Sequence, residues 1–388
     1  MRICYLTVAE FPSRAAQSIQ VMRMAQAFAE IGHRVTLITP SKCDLDVVSD
    51  FYGVRPIFDI QHLRRLRLKE VGLLLWGWQA AYRLRLFKPD MVYGRQVHGC
   101  YFAALLGYRV ILEIHEPPSS RWSRKLFRKL VAMPSFVRLV TNSEGLARIL
   151  KSEFVISCDK VLAAPNGADD PGTVRVKHPN GDRIRVGYVG HLYEGRGIEL
   201  ILALARICQW ADFHLIGGTE EDVNYWGSKS TDLNNVSFHG FVPPATAEQY
   251  RQNCDILLAP YPPQTLTKRR RDASAYMSPL KLFEYMASGR AIVCAEHDVL
   301  HEIVNDQTAV LCSPDNLEDW VSALQRLRDD PSLRSRLGEN ARAAFLRDFT
   351  RTARASKILA GITVGQGVSQ TDTAIEGARR ADSQNVVH

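Results

Sequence analysis

Lys281 and Glu284 in "MSPLKLFEYMASGR", Arg196 in "VGHLYEGRG" and His115 in "LEIHEPP" are the side chains whose type and setting could do chemistry. In the first stretch Ser278 can cap a helix, Pro279 suits its first position, and Gly289 suits the residue past its last turn. Lys281 then stands in the first turn against the positive end of the helix dipole, at a cost of about 0.3–1 kcal/mol. A lysine kept there suits a bound anion. An ion pair with Glu284 at i,i+3 is the purely structural alternative. Against it, Glu284 borders the apolar stripe Leu280/Phe283/Ala287, where a carboxylate wants a polar partner such as a ribose diol.

"VGHLYEGRG" follows a strand pattern and offers flexible backbone at Gly190, Gly195 and Gly197, with Arg196 just ahead of a helix. Amides at a helix start together with a guanidinium fork suit a phosphate, and a turn with an exposed arginine is the alternative. The spacing is not GxGxxG, which argues against a dinucleotide-dependent dehydrogenase. His115 closes an apolar strand. It is either a satisfied structural histidine or a polar group facing a cleft, in contact with a sugar or its leaving oxygen. "EFPSRAAQS", after the first strand, is a loop able to close over an acceptor. "DLD" (44–46) reads as a turn and "KRRR" (268–271) as an exposed loop. The histidines show no HExxH or paired spacing, so no metal site is expected.

These residues need a frame that brings them together. Strand-like runs alternate with helix-like ones throughout, the pattern of parallel sheets with crossover helices. One doubly wound unit is expected over 1–170, a Pro/Gly/Asp-rich linker over 168–182, and a second unit over 183–349. A helix over 350–362 is expected to pack back on the first unit, and 363–388 to be a disordered tail. Ligands collect at the carboxyl ends of strands in such sheets, so two facing sheets make a cleft lined by the loops that follow strands.

Composition fits two cores: the chain has 388 residues, 46% hydrophobic and 23% charged. The run "VGLLLWGWQAA" (71–81) is well short of the ~20 residues of a membrane span, and "RICYLTV" begins without a leader pattern. A cytosolic, non-spanning protein is expected. The eight cysteines are scattered with no CxxC, as reduced buried thiols are. Residues 1–170 hold 24 Lys+Arg against 15 Asp+Glu, and the rest hold 25 against 26, so the net +8 arises in the first half. The excess gathers in "RRLRLK" (64–69) and "RWSRKLFRKL" (121–130). Each reads either as a solvated face or as contact with an anionic membrane surface, where a basic residue is worth ~1 kcal/mol. Nucleic acid is not an expected partner, since no binding motif is present.

Taken in order, "FPSRAAQSIQVMRMAQAFAEIGHRVTLIT", "VTNSEGLARIL", "VLAAPNGAD", "VGYVGHLYEGRGIELILALA", "NVSFHGFV" and "SPLKLFEYMASGRAIVCA" resemble glycosyltransferase family 4 over 1–349. The resemblance implies an α/β protein of GT-B fold, with two Rossmann-like, doubly wound domains facing across a cleft. It implies a UDP- or GDP-sugar donor held mainly by the second domain through Gly190, Arg196, Gly197, Phe241, Lys281, Leu282 and Glu284. Arg196 and Lys281 would face the donor diphosphate and Glu284 the ribose, with His115 near the donor sugar. His115, Arg196 and Lys281 are therefore the expected catalytic residues. The acceptor side is implied at the loop carrying Ser13, Ala15, Ala16 and Ser18.

Transfer would retain anomeric configuration, with no metal or other cofactor. The sequence departs from the family at three points. Tyr276 replaces the first glutamate of Glu-x7-Glu, His191 stands where a basic residue often follows Gly190, and Ala15/Ala16 replace paired glycines. The expected function is transfer of a hexose-type sugar to an alcohol on a lipid-linked or small-molecule acceptor, in surface-glycan or lipid-linked saccharide synthesis. The expected location is cytoplasmic, peripheral to the inner face of the cell membrane. The alternatives are a sugar-nucleotide epimerase of the same architecture and a non-catalytic nucleotide-sugar-binding partner of another transferase.

Overall fold

The computed structural model describes residues 1–13, 15–66, 68–172, 183–265 and 272–363. The "KRRR" segment, most of the linker and the tail beyond 363 lie outside the described residues.

Among the described residues, apolar, β-branched runs form thirteen strands in two all-parallel sheets. The first comprises β1 (Arg2–Leu6), β2 (Arg34–Thr39), β3 (Asp59–His62), β4 (Met91–Gly94), β5 (Val110–Ile114), β6 (Phe136–Thr141) and β7 (Val161–Ala163), in the order β3-β2-β1-β4-β5-β6-β7. Its helices are α1 (Ala16–Glu30), α2 (Leu45–Tyr52), α3 (Lys69–Phe87), α4 (Val97–Leu105), α5 (Arg121–Val131) and α6 (Glu144–Glu153). The second sheet comprises β8 (Ile184–Val189), β9 (Ala211–Ile216), β10 (Val236–Gly240), β11 (Ile256–Ala259), β12 (Ala291–Ala295) and β13 (Val310–Cys312), ordered β10-β9-β8-β11-β12-β13. Its helices are α7 (Ile198–Ile207), α8 (Glu220–Ser228), α9 (Pro244–Asn253), α10 (Leu280–Ser288), α11 (Leu317–Asp329) and α12 (Pro331–Ala344). A last helix, α13 (Arg351–Leu359), follows a short π-helical turn at Phe345–Phe349.

Both sheets reverse their winding once, between β1 and β4 and between β8 and β11. Such reversals open a crevice at the strands' carboxyl ends. Helices cover both faces, so strands such as "AIVCA" are buried throughout. α13 returns to the first sheet, where Ala355, Ile358 and Leu359 join a core with Val21, Met22 and Phe28 of α1. This return carries Arg351 and Arg354 into the first domain, with consequences for the site.

The two domains touch directly. The Ser143 hydroxyl donates to the Tyr276 carbonyl at 3.0 Å, and the Asn166 amide donates to Ser278 Oγ at 2.9 Å while its side chain donates to the Ser278 carbonyl at 2.7 Å. Glu302 accepts from the first amides of α6. Gly145 is needed at this contact, because a Cβ there would stand 2.0 Å from the Ala275 carbonyl oxygen.

One local expectation is corrected. Ser278 does not cap α10: the N-cap is Pro279, without a side-chain cap, and the Ser278 hydroxyl is spent on Asn166. In the basic stretch 121–130, Leu126, Phe127 and Leu130 are buried in the core, while Arg121, Trp122, Lys125, Arg128 and Lys129 are exposed. Asp44 of "DLD" caps α2 by accepting from the Asp46 amide at 2.9 Å.

Candidate active site

The crevices of the two sheets face each other and enclose a cleft of about 1050 Å³. Its walls carry His115, Glu116 and Arg95 from the first domain, and Gly190, Arg196, Lys281 and Glu284 from the second.

Lys281 sits in the first turn of α10 and lies over the Tyr188 ring, its Nζ 3.7 Å from the ring centroid. The alternative, an ion pair with Glu284, does not form: no carboxylate is within ion-pair distance of Lys281 among the described residues, and Glu284 accepts instead from Arg251 at 3.1 Å. Burial first, then repulsion from Arg196, holds the Lys281 ammonium well below the ordinary lysine range. That repulsion places the two cations in each other's field at the end of β8. Arg196 lies over the Tyr193 ring, its guanidinium carbon 4.5 Å from the centroid, and donates to the Tyr193 hydroxyl; its Nε is buried without a partner.

Gly190 lets this cluster form, since a Cβ there would come within 3.2 Å of Lys281 Nζ and 3.3 Å of the Tyr188 hydroxyl. Gly197 has a different task. At φ +78° it starts α7 with its α-carbon against Pro260, whose carbonyl oxygen a Cβ would meet at 2.0 Å.

On the facing wall, His115 Nε2 bonds to Glu113, which is fully buried and also accepts from Arg354 of α13 at 3.0 Å. Burial alone would raise the Glu113 carboxyl. Arg354 and His115 overcome it and hold the group at about 2. Burial first, then the charge of Arg95, depresses His115 to about 4. The histidine is therefore neutral at pH 7, with its proton on Nε2 toward Glu113 and Nδ1 left as an acceptor. Arg354 is anchored by further bonds to the carbonyls of Pro165 at 2.9 Å and Ala164 at 3.2 Å.

Not every expected residue reaches the cleft wall. Leu282 is fully buried in the core, outside the cleft lining, and its amide donates to the Pro279 carbonyl. Phe241 is 60% exposed and lies outside the cleft lining. In the N-terminal loop Ala16 lines the cleft, whereas Ser13, Ala15 and Ser18 hold the loop together. Ser13 is clamped by the Tyr52 hydroxyl, its Oγ accepts from the Ala15 amide at 3.2 Å, and Ser18 donates to the Glu10 carbonyl at 2.9 Å. Tyr276 is buried beside the domain contact that its carbonyl makes.

The sequence reading missed Arg95, Gln96 and Asn142, all lining the cleft just past β4 and β6. Polar residues directly after strands were the available signal. They, with Glu113, Arg196 and Tyr261, contribute buried polar atoms without partners, a costly feature that folds retain at binding sites.

Fold and cleft together define a two-domain glycosyltransferase of GT-B architecture. A model described as Glycosyltransferase Family 4 matches residues 17–170, and one described as Glycosyl transferases group 1 matches 183–330. The chain belongs to glycosyltransferase family 4. No curated protein matches the sequence. A glycosyltransferase from Rickettsia africae ESF-5 superposes with a TM-score of 0.71 at 13% identity, over 93% of this chain and 99% of its own. Anabaena Alr3699/HepE, solved with UDP, gives 0.70 at 14% identity over 92% and 98%, and solved with UDP-glucose 0.65 at 15% over the same shares.

Proposed function

We propose that the chain transfers a hexose-type sugar from a UDP- or GDP-sugar to an alcohol, with retention of anomeric configuration. The placement of Arg196 and Lys281 on one cleft wall in each other's field, with no carboxylate within ion-pair distance of Lys281 among the described residues, is the observation that carries this reading. Two like charges held together in a half-buried site repel each other until an anion arrives, and a diphosphate is the anion whose size and charge suit the pair. As the sugar departs, the negative charge growing on the diphosphate meets cations already in place, which is the main source of catalysis in such sites. The Anabaena protein, solved with UDP and UDP-glucose, supports the donor class. Glu284, oriented by Arg251, is assigned to the ribose hydroxyls, and His115 Nδ1 to a hydroxyl of the transferring sugar. Charge compensation by the two side chains makes metal unnecessary in this scheme, so transfer should persist in EDTA.

The acceptor is assigned to a lipid-linked saccharide at the inner face of the membrane, on the strength of the basic first domain. A thermal-shift panel of nucleotide sugars identifies the donor, and product anomers read by NMR test retention. Lys281→Ala should lower transfer at least 100-fold with the fold intact. A fully active variant overturns the reading, and an epimerised nucleotide sugar formed without acceptor replaces it with the epimerase alternative.

A further inference from the structure

α3 is apolar on two opposite sides. One stripe, Gly72, Trp76, Ala80 and Leu84, is buried against the domain, with Gly77 set so close to α4 that a Cβ would stand 2.9 Å from the Gly99 amide nitrogen. The other stripe is Val71, Leu75, Trp78, Tyr82 and Leu86, each between 42% and 74% exposed. A surface helix of a globular protein keeps its face away from the core polar, yet this one leaves a second apolar stripe uncovered. The stripe runs roughly 22 Å at 1.5 Å per residue. No helix among the described residues is long and apolar enough to cross a membrane.

We infer that this face of α3 lies in the interface of an anionic bilayer, with Val71, Leu75, Trp78, Tyr82 and Leu86 entering the acyl boundary. Three observations select a bilayer. The stripe is bordered by the exposed cations Lys69, Arg83, Arg85 and Lys88. Trp78 and Tyr82 stack with centroids 5.9 Å apart, and Arg85 lies 4.8 Å over Tyr82, an aromatic and basic pairing that suits the headgroup layer. α5, the second helix along the layer through α4, adds Arg121, Lys125, Arg128 and Lys129 and the half-exposed Trp122. A two-fold pairing of the stripe with a second copy would bring these cations against each other.

The location also fits the chemistry. Glu70 and Leu73 at the start of α3, and Ser120 and Ser123 at the start of α5, line the cleft, so the docked face runs up to its acceptor side. A carrier lipid can stay in the bilayer while its head enters. This inference rests on the lipid-linked acceptor proposed above.

The test uses the full chain with vesicles of phosphatidylcholine alone and with 30% phosphatidylglycerol added. Co-sedimentation should require the anionic lipid, and brominated acyl chains should quench tryptophan emission. The triple substitution Leu75→Gln, Trp78→Gln, Tyr82→Gln should weaken partitioning on the order of 100-fold, from the apolar area it withdraws. It should leave the melting temperature and donor hydrolysis unchanged. A control at another exposed apolar site, Val47→Gln with Phe51→Gln, should bind as the parent does. The inference is overturned if the triple variant binds vesicles normally, or if the parent self-associates through this face and ignores vesicles. The two proposals fail separately: a parent chain that binds anionic vesicles but transfers no sugar from any nucleotide sugar sinks the transferase reading and leaves the docking surface standing, and Lys281→Ala should bind vesicles as the parent does.

Discussion

Removing Arg354 should disturb a histidine on the far side of a buried carboxylate. Glu113 is wholly enclosed, and its Oε1 receives both His115 and Arg354, while Oε2 has no partner. Arg354→Met leaves that carboxylate with the histidine alone and strips two carbonyls of their donor. Breaking one side of a buried ion pair costs about 3–5 kcal/mol. At about 2–4 °C per kcal/mol for a domain of this size, melting should fall by roughly 6–20 °C. The orphaned Glu113 should hold a proton more readily, and His115, freed from one repelling cation, should become the group that takes it. His115 titration, followed by NMR, should therefore move upward from about 4. Donor hydrolysis should lose rate, and its acid limb should move up with the histidine. Adding Glu113→Gln to the same chain removes the stranded charge, so the double variant should regain most of the lost stability. If the double variant is as unstable as Arg354→Met, or if the single variant leaves the His115 titration in place, the relay from α13 to the cleft is wrong.

Other outcomes follow from the same contacts. Gly190→Ala should fold normally but displace Lys281, weakening UDP binding about 10-fold by calorimetry, because its Cβ meets only the end of a flexible side chain and a hydroxyl. Gly197→Ala should instead lower the melting temperature sharply, since its Cβ meets a backbone carbonyl at 2.0 Å and its φ is +78°. Diphosphate binding should take up protons at alkaline pH: free Lys281 titrates well below the ordinary range, a bound dianion raises it, and titrations in buffers of different ionisation heat measure the uptake. Acid should unfold the first domain in two stages. His115 is depressed in the fold, so its contribution is complete above about 6.5 and is lost as pH falls toward 4; Glu113 is also depressed, and its contribution is lost between about 4.5 and 2. The melting temperature measured across that range should fall throughout and level off above pH 7.

What could be read from the sequence divides by the range of the interaction concerned. Buried parallel strands are near-continuous apolar runs and can be read as such in the sequence; β3, "DIQH", cannot, because an exposed edge strand needs no apolar run. The lysine at the start of α10 was conspicuous because it breaks a local rule. Its surroundings were not: Glu284 is claimed by Arg251, 33 residues away, and Glu113 by Arg354, 241 residues away. Ser278 shows the same limit, since a serine beside a helix start reads as a cap until a partner from the other domain takes its hydroxyl.

These partnerships also separate the charges that hold the fold from those that await a ligand. Arg354, Arg351 and Arg251, each nearly fully buried, all have carboxylates: Glu113 for the first, Asp169 for the second, Glu248 and Glu284 for the third. A buried cation is tolerated only when it is so compensated. Lys281 breaks that rule. It rests on an aromatic ring in the field of a second cation, and the ring recovers only about 2 kcal/mol of what desolvation removes. Among the described residues Arg95 and Arg196 likewise have no carboxylate partner, and all three line the cleft, so the unmatched positive charge gathers where an anion would lie. Binding of a nucleoside diphosphate should therefore raise the stability of the second domain more than that of any Lys281→Met variant, about 2.7 kcal/mol at a hundred times the dissociation constant for the parent against almost none for the variant. Equal stabilisation of both by UDP would show that the lysine's charge is answered by something other than the diphosphate.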